Sequence, residues 1–278
     1  MIYLLSLRAK CTGGAVTSGS LVTRTNQASV GLGTIGQLRR EDQITILLHG
    51  FNVNCKQGER TLLALANKLL PHATGHGVLA VLWPGDHWTR ALSYSFEGKD
   101  ADDSAKALAR YLEDIARLTS GTRLQFVTHS LGARVALETV KALTPHKYVV
   151  GEICLLAAAV DDFSLAKRYK CVVKRASRTS VLASRSDRVL ELAYPLGDLL
   201  QRFVFFRKEQ VGLALGYHGP RPKRRHKVPS SVHHVQIPDC RHAGHGDYLP
   251  APRCNPEQKS SVAFTDQVLH GHPHPAYK

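Results

Sequence analysis

The chain of 278 residues has no apolar run approaching the ~20 residues that a membrane-spanning helix requires, so an integral helical membrane protein is excluded. It has no CxxC pair and no tight cysteine framework, although six cysteines are present, at 11, 55, 154, 171, 240 and 254. That argues against a disulfide scaffold or a redox dithiol, and the plain expectation is free thiols in the cytoplasm. The N-terminus lacks the positive segment that precedes the apolar stretch of a secretory signal, so residues 2–8 read as a first strand. No internal repeat is visible. Acids are scarce: 22 Asp and Glu stand against 37 Lys and Arg, for a net charge of +15. A surface that basic concentrates anions without identifying one. Hydrophobic residues are not scarce; at 43% they can fill a sizeable core, which argues against global disorder.

Short apolar runs rich in β-branched residues read as buried parallel strands at Gln43–Leu48, Val78–Leu82, Leu124–Thr128 and Glu152–Ala158, with further strands at Val181–Ser184 and Val232–Ile237. Helical spacing appears between them. Leu62, Leu65, Ala66 and Leu69 share one face over Gln57–Leu70, and Leu108, Tyr111, Leu112 and Ile115 share one over Ser104–Thr119. Leu131–Leu143 and Arg188–Leu200 complete the set. The alternation predicts an α/β domain over residues 1–250, a mainly parallel sheet with helices on both faces. Residues 1–40 predict an antiparallel edge hairpin, and residues 251–278 a partly mobile, proline-containing tail.

The most informative stretch is Leu124-Gln-Phe-Val-Thr-His-Ser-Leu-Gly-Ala-Arg-Val-Ala-Leu137, a strand running through Thr128-His129-Ser130-Leu131-Gly132 directly into a helix. That is the context of a nucleophile elbow, in which a serine on a sharp turn exposes its hydroxyl. Small residues are required two positions either side; Gly132 complies and Thr128 departs from the usual glycine. Taken alone, the stretch reads equally well as a serine helix cap. A second strand ends in His49-Gly50-Phe51-Asn52. In a serine hydrolase the loop after this strand donates one oxyanion-hole N–H and the residue after the nucleophile the other, which points to the amides of Phe51 and Leu131. The bland reading is a glycine turn, with His49 bracing the loop.

Together His49-Gly-Phe-Asn-Val53, Trp83-Pro84, Thr128-His-Ser-Leu-Gly-Ala-Arg134 and Ser186-Asp-Arg-Val-Leu190 resemble the α/β-hydrolase superfamily, in particular a bacterial branch of poorly characterised esterase- and lipase-like proteins. The resemblance covers about residues 40–250. It implies the α/β-hydrolase fold, a Ser-His-Asp triad and hydrolase chemistry, but no particular substrate. Partners then follow in the order serine, acid, histidine. The family's acid position favours Asp187, with Asp161, beside Asp162, as runner-up; as plain structure these are a helix cap and a solvated turn. The histidine belongs in the loop after Val232–Ile237, where His245, flanked by Gly244 and Gly246, is favoured over His242. His233 and His234 read as strand residues.

Other signals carry bland readings. Gly31-Leu-Gly-Thr-Ile-Gly36 matches a dinucleotide fingerprint without the strand, helix and acid that would confirm it. Cys240, His242, His245 and Cys254 fit no familiar zinc spacing, so no metal is expected. The tail histidines, His270 to His274, could bind metal adventitiously. Basic clusters at 167–178 and 221–227 lack interleaved aromatics and any recognised nucleic-acid motif, and read as a solvated basic face.

The expectation is therefore a serine hydrolase cleaving a small-molecule carboxylic ester through Ser130, Asp187 and His245, with no cofactor and no nucleic-acid partner. The same triad could instead transfer an acyl group, and the scaffold could be a non-catalytic anion binder. About 20 residues separate the strands near Val160 and Ser180, too few for a large cap. Trp83, Trp88, Tyr94 and Phe96 are the aromatics available for an apolar substrate pocket.

Overall fold

The computed structural model describes residues 1–10, 15–21, 35–69, 75–85, 94–116, 121–144, 148–191, 213–251 and 253–278. Eight strands form one sheet: β1 (Ile2–Arg8), β2 (Val16–Leu21), β3 (Gln43–Leu48), β4 (His76–Leu82), β5 (Arg123–His129), β6 (Val149–Leu156), β7 (Arg178–Ser184) and β8 (Val232–Ile237). Their order is β2-β1-β4-β3-β5-β6-β7-β8, and only β1 with β2 is antiparallel. β3, β4 and β5 are buried along almost their whole length, as expected of apolar strands covered on both sides. β8, an edge strand, is half-exposed.

The helices are α1 (Ile35–Leu38), α2 (Cys55–Leu69), α3 (Tyr94–Ala116), α4 (Gly132–Ala142), α5 (Lys170–Arg175), α6 (Leu215–His218) and α7 (Pro256–Leu269). A further helical turn begins at 188–191. Right-handed crossovers decide which face each covers. The step from β3 to β4 through α2 runs one way across the sheet. Those from β4 to β5, β5 to β6 and β6 to β7, through α3, α4 and α5, run the other way. So α2 lies on one face and α3, α4 and α5 on the opposite one. α3 packs on α4 and α4 on α5, while α2 packs on α7. The reversal of direction falls at β3, and a crevice opens at the C-terminal ends of β3 and β5, where ligands bind in open α/β sheets.

Three expectations need revision. α3 begins ten residues before the predicted Ser104. Residues 256–269, read from sequence as part of a tail, are a helix. Asn255 caps it by accepting the Gln258 N–H, Pro256 occupies the first turn where its missing N–H is harmless, and Phe264 and Val268 are fully buried. Among the described residues Cys55 is disulfide-bonded while Cys154, Cys171, Cys240 and Cys254 are free, so the expectation of free thiols throughout, and the compartment argument built on it, falls away. Most of the Gly31–Gly36 loop and of the Arg188–Leu200 helix lies outside the described residues. Among the described residues no helical cap stands over the sheet, and no helix is long and apolar enough to cross a membrane.

If α7 belongs to the core, Phe264→Ala should cost about 3–5 kcal/mol, the usual range for a buried phenylalanine. Urea denaturation measures it, and a loss below ~1 kcal/mol would place α7 outside the cooperative unit.

Candidate active site

β5 ends in a backbone that turns sharply at Ser130, whose φ of +53° is rarely adopted by a residue with a side chain. Its N–H donates to the Leu156 carbonyl (3.0 Å) and its carbonyl accepts from Ala159 (3.1 Å), pinning the turn to the exit of β6. The strain is tolerated because α4 starts immediately, directly under the end of β3. A Cβ at Gly132 would lie 2.5 Å from the His49 carbonyl oxygen and 2.9 Å from that of Leu48. Gly50 sits as closely against the turn, 2.9 Å from the Ser130 Cβ for a Cβ of its own. Thr128, the departure from a small residue, is buried and its hydroxyl donates to the Cys154 carbonyl at 3.3 Å.

Ser130 Oγ lies 3.0 Å from His245 Nε2, and His245 Nδ1 lies 2.7 Å from Asp187 Oδ2. Ser130 is 5% exposed, His245 keeps 19% of its side chain exposed, and Asp187 none. The other Asp187 oxygen accepts the Leu190 N–H at 3.1 Å, so the carboxylate is helix cap and imidazole partner at once. Asp162, near the alternative acid Asp161, is buried against Arg221 Nε at 2.5 Å, while Asp161 lies on the strip bridged to Ala214. His242 is exposed with φ +49°. His233 and His234 lie in β8.

The loop carrying His245 is held from several sides. The Ser184 hydroxyl donates to the Ala243 carbonyl (2.7 Å), and Gly244 N–H to Asp247 (2.8 Å). From the α7 region, Asn255 donates to Asp247 (2.7 Å) and Gln258 to the Gly246 carbonyl (3.2 Å). The backbone at both flanking glycines is thus tied down, while a Cβ at Gly246 would meet nothing within 4 Å. His129, whose role sequence reasoning missed, donates from Nε2 to the His245 carbonyl at 2.9 Å. Its ring lies 4.7 Å from that of His245. Its place beside Ser130 on an alternating strand was the available clue.

Across the crevice, His49 braces the loop after β3. Its Nδ1–H donates to the Gly50 carbonyl (2.8 Å), and Nε2 accepts the Trp83 N–H at 3.3 Å. The Trp83 indole N–H returns to the His49 carbonyl (2.9 Å) with the rings stacked. Trp83 is fully buried and offers no face to a ligand. Trp88 lies outside the described residues, as do the side chains of Tyr94 and Phe96. Arg8 reaches the carbonyls of Val53 (3.1 Å) and Trp83 (3.2 Å) from below, and Asn52 N–H donates to the Gly85 carbonyl (2.6 Å). Among the described residues, the N–H groups of Phe51 and Leu131 meet no acceptor.

Burial pushes the His49 imidazole down to about 4, with Arg8 adding to the effect. Burial, then the neighbouring His245, pushes His129 down to about 3. Both stay neutral in the folded protein while their unfolded counterparts protonate below ~6.5. Between those values the unfolded chain binds more protons, so stability falls as pH drops from ~6.5 toward ~4. Urea midpoints at pH 7 and pH 5 should differ, and by less in His129→Phe; an unchanged difference would show that His129 is not neutral.

A family model described as alpha/beta hydrolase of unknown function (DUF900) matches residues 28–206. No curated protein matches the chain. Among solved structures, the product of the Listeria innocua gene lin2722 is similar at 12% identity and a TM-score of 0.46, over 85% of this chain and 100% of that one. The catalytic core domain of acetyl xylan esterase from Trichoderma reesei is similar at 12% identity and a TM-score of 0.42, over 83% and 97%. An extracellular alpha/beta-hydrolase from a Paenibacillus species is similar at 17% identity and a TM-score of 0.29, over 45% of this chain and 46% of that one. The chain thus spans about half the length of the Paenibacillus protein.

Proposed function

Because the chain belongs to a family of α/β hydrolases of unknown function, we propose that it is a serine hydrolase that cleaves a small-molecule carboxylic ester. The observation that carries this reading is the hydrogen-bonded line from Ser130 Oγ through His245 to Asp187, with the serine on a strained turn at the sheet's switch point. His245 Nε2 takes the hydroxyl proton as Oγ attacks the ester carbonyl carbon. Asp187 holds Nδ1–H, which fixes the tautomer and stabilises the imidazolium. The amides of Phe51 and Leu131 are the donors assigned to the developing oxyanion, each worth about 3 kcal/mol in a comparable enzyme. Collapse of the tetrahedral intermediate breaks the bond to the leaving oxygen, which takes the proton from His245. Water, deprotonated by the same imidazole, then attacks the acyl-serine and releases the acid.

The experiment is labelling with a fluorophosphonate together with turnover of a short activated ester. Ser130→Ala should abolish labelling and lower turnover on the order of 10⁶-fold. Retained turnover in pure protein would overturn the reading.

Asp187→Asn separates the two jobs of that carboxylate. Asparagine caps a helix about as well as aspartate, so the fold should hold, whereas turnover should fall about 10⁴-fold through the wrong imidazole tautomer. Asp161→Asn should cost far less, and the reverse ranking would move the acid to the exit of β6.

A further inference from the structure

Residues 163–178 contain Lys167, Arg168, Lys170, Lys174, Arg175 and Arg178 and no acid; residues 213–238 contain Arg221, Lys223, Arg224, Arg225 and Lys227 and no acid. Arg178, the last cation of the first run, and Arg221, the first of the second, are 43 positions apart in sequence, and the fold lays the two runs side by side. The 219–231 segment leaves α6 and runs alongside the segment that carries α5. Arg221 binds Asp162 through its guanidinium and its N–H (2.8 Å to the carbonyl). Lys223 Nζ stands 3.4 Å over the Phe163 ring. Ser231 then donates to the Val173 carbonyl in α5 at 2.8 Å. From these anchorages we propose that α5 and the 219–231 segment form one basic face that docks on an anionic lipid surface.

The local carboxylates are already engaged. Asp162 is taken by Arg221, and Glu138 of α4 by Arg168 and Lys141. Among the described residues, Lys170, Lys174, Lys223, Arg224, Arg225 and Lys227 form no ion pair with a carboxylate; Lys174, Arg224, Arg225 and Lys227 are exposed. The tip is shaped to present charge. Lys223 and His226 exchange both backbone hydrogen bonds (3.1 and 2.9 Å), closing a two-residue turn with Arg224 and Arg225 at its end. Arg224 has φ +52°, where glycine or asparagine is usual, and Pro220, Pro222 and Pro229 stiffen the segment.

The character of the face selects the partner. Single-stranded nucleic acid requires exposed aromatics for stacking, but Tyr169 is buried and Phe163 lies beneath Lys223. A major groove takes a projecting helix or ribbon, whereas α5 has six residues and buries Val172 and Val173. A specific protein partner would use apolar anchors, and the exposed large hydrophobics among the described residues, Met1, Val149 and Val189, are not part of this face. What remains is a set of unpaired point charges, and anionic headgroups need no more than that. One end of the face also adjoins the strip leaving β6, whose Ala159 is bonded to Ser130, so docking holds the crevice near the lipid. The docking does not depend on Ser130 being a nucleophile.

The test is co-sedimentation of the full chain with vesicles of phosphatidylcholine alone and with about one-third phosphatidylserine, at low and high salt. Binding should require phosphatidylserine and be lost at high salt. Arg224→Glu with Arg225→Glu should weaken it at least about tenfold. Lys56→Glu with Arg60→Glu, the same charge change on exposed α2 positions, should alter it less than about twofold. Arg224→Asn with Arg225→Asn, which suits the turn, should fall between and guards against misfolding at the tip. No binding to the anionic vesicles, or equal losses in both charge-reversed pairs, would overturn the proposal. Tighter binding to double-stranded DNA than to vesicles at equal charge concentration would overturn the assignment of partner.

Discussion

The His49 carbonyl oxygen lies 2.5 Å from where a side chain at residue 132 would begin. Everything at the crevice depends on that approach. It lets α4 start hard against the end of β3, which forces the chain through the strained φ at Ser130 and brings the serine beside Gly50. The same contact requires the loop after β3 to stay rigid. Hence the bracing of His49 by Trp83, the buried Arg8 beneath Val53 and Trp83, and the tie from Asn52 to Gly85. A neutral imidazole suits that setting, because a charged one would stand in a desolvated site near a guanidinium.

Much of this arrangement was legible in the residues. β3 and β8 match the sequence reading to the residue: β3 is a short run of apolar and β-branched residues, and β8 carries Val232, Val235 and Ile237 among polar residues after the Pro229-Ser-Ser turn. The parallel sheet followed from the alternation of strands and helices, and the strand–turn–helix context of Ser130 was local enough to read directly. Ser130, Asp187 and His245, whose side chains meet, are 57 and 58 positions apart in sequence; family resemblance picked Asp187 from its neighbours, and the same resemblance with the flanking Gly244 and Gly246 picked His245.

What escaped notice escaped for physical reasons. α7 hides among prolines, and its buried positions, Ser261 and Thr265 as well as Phe264 and Val268, mix polar with apolar groups, so the periodic signal is weak. The missed helix is also what steadies the histidine loop, through Asn255 and Gln258. His129 was visible in sequence, but nothing local says that its ring turns toward a residue 116 positions away. Nor does sequence reveal that the two basic runs are neighbours.

Asp187 spends its two oxygens in two fixed directions, one on the Leu190 amide and one on His245. The start of the 188–191 helical turn and the tilt of the imidazole are thereby a single mechanical coordinate. One carboxylate thus joins the turn that carries the solvent-exposed Val189 to the ring that faces Ser130.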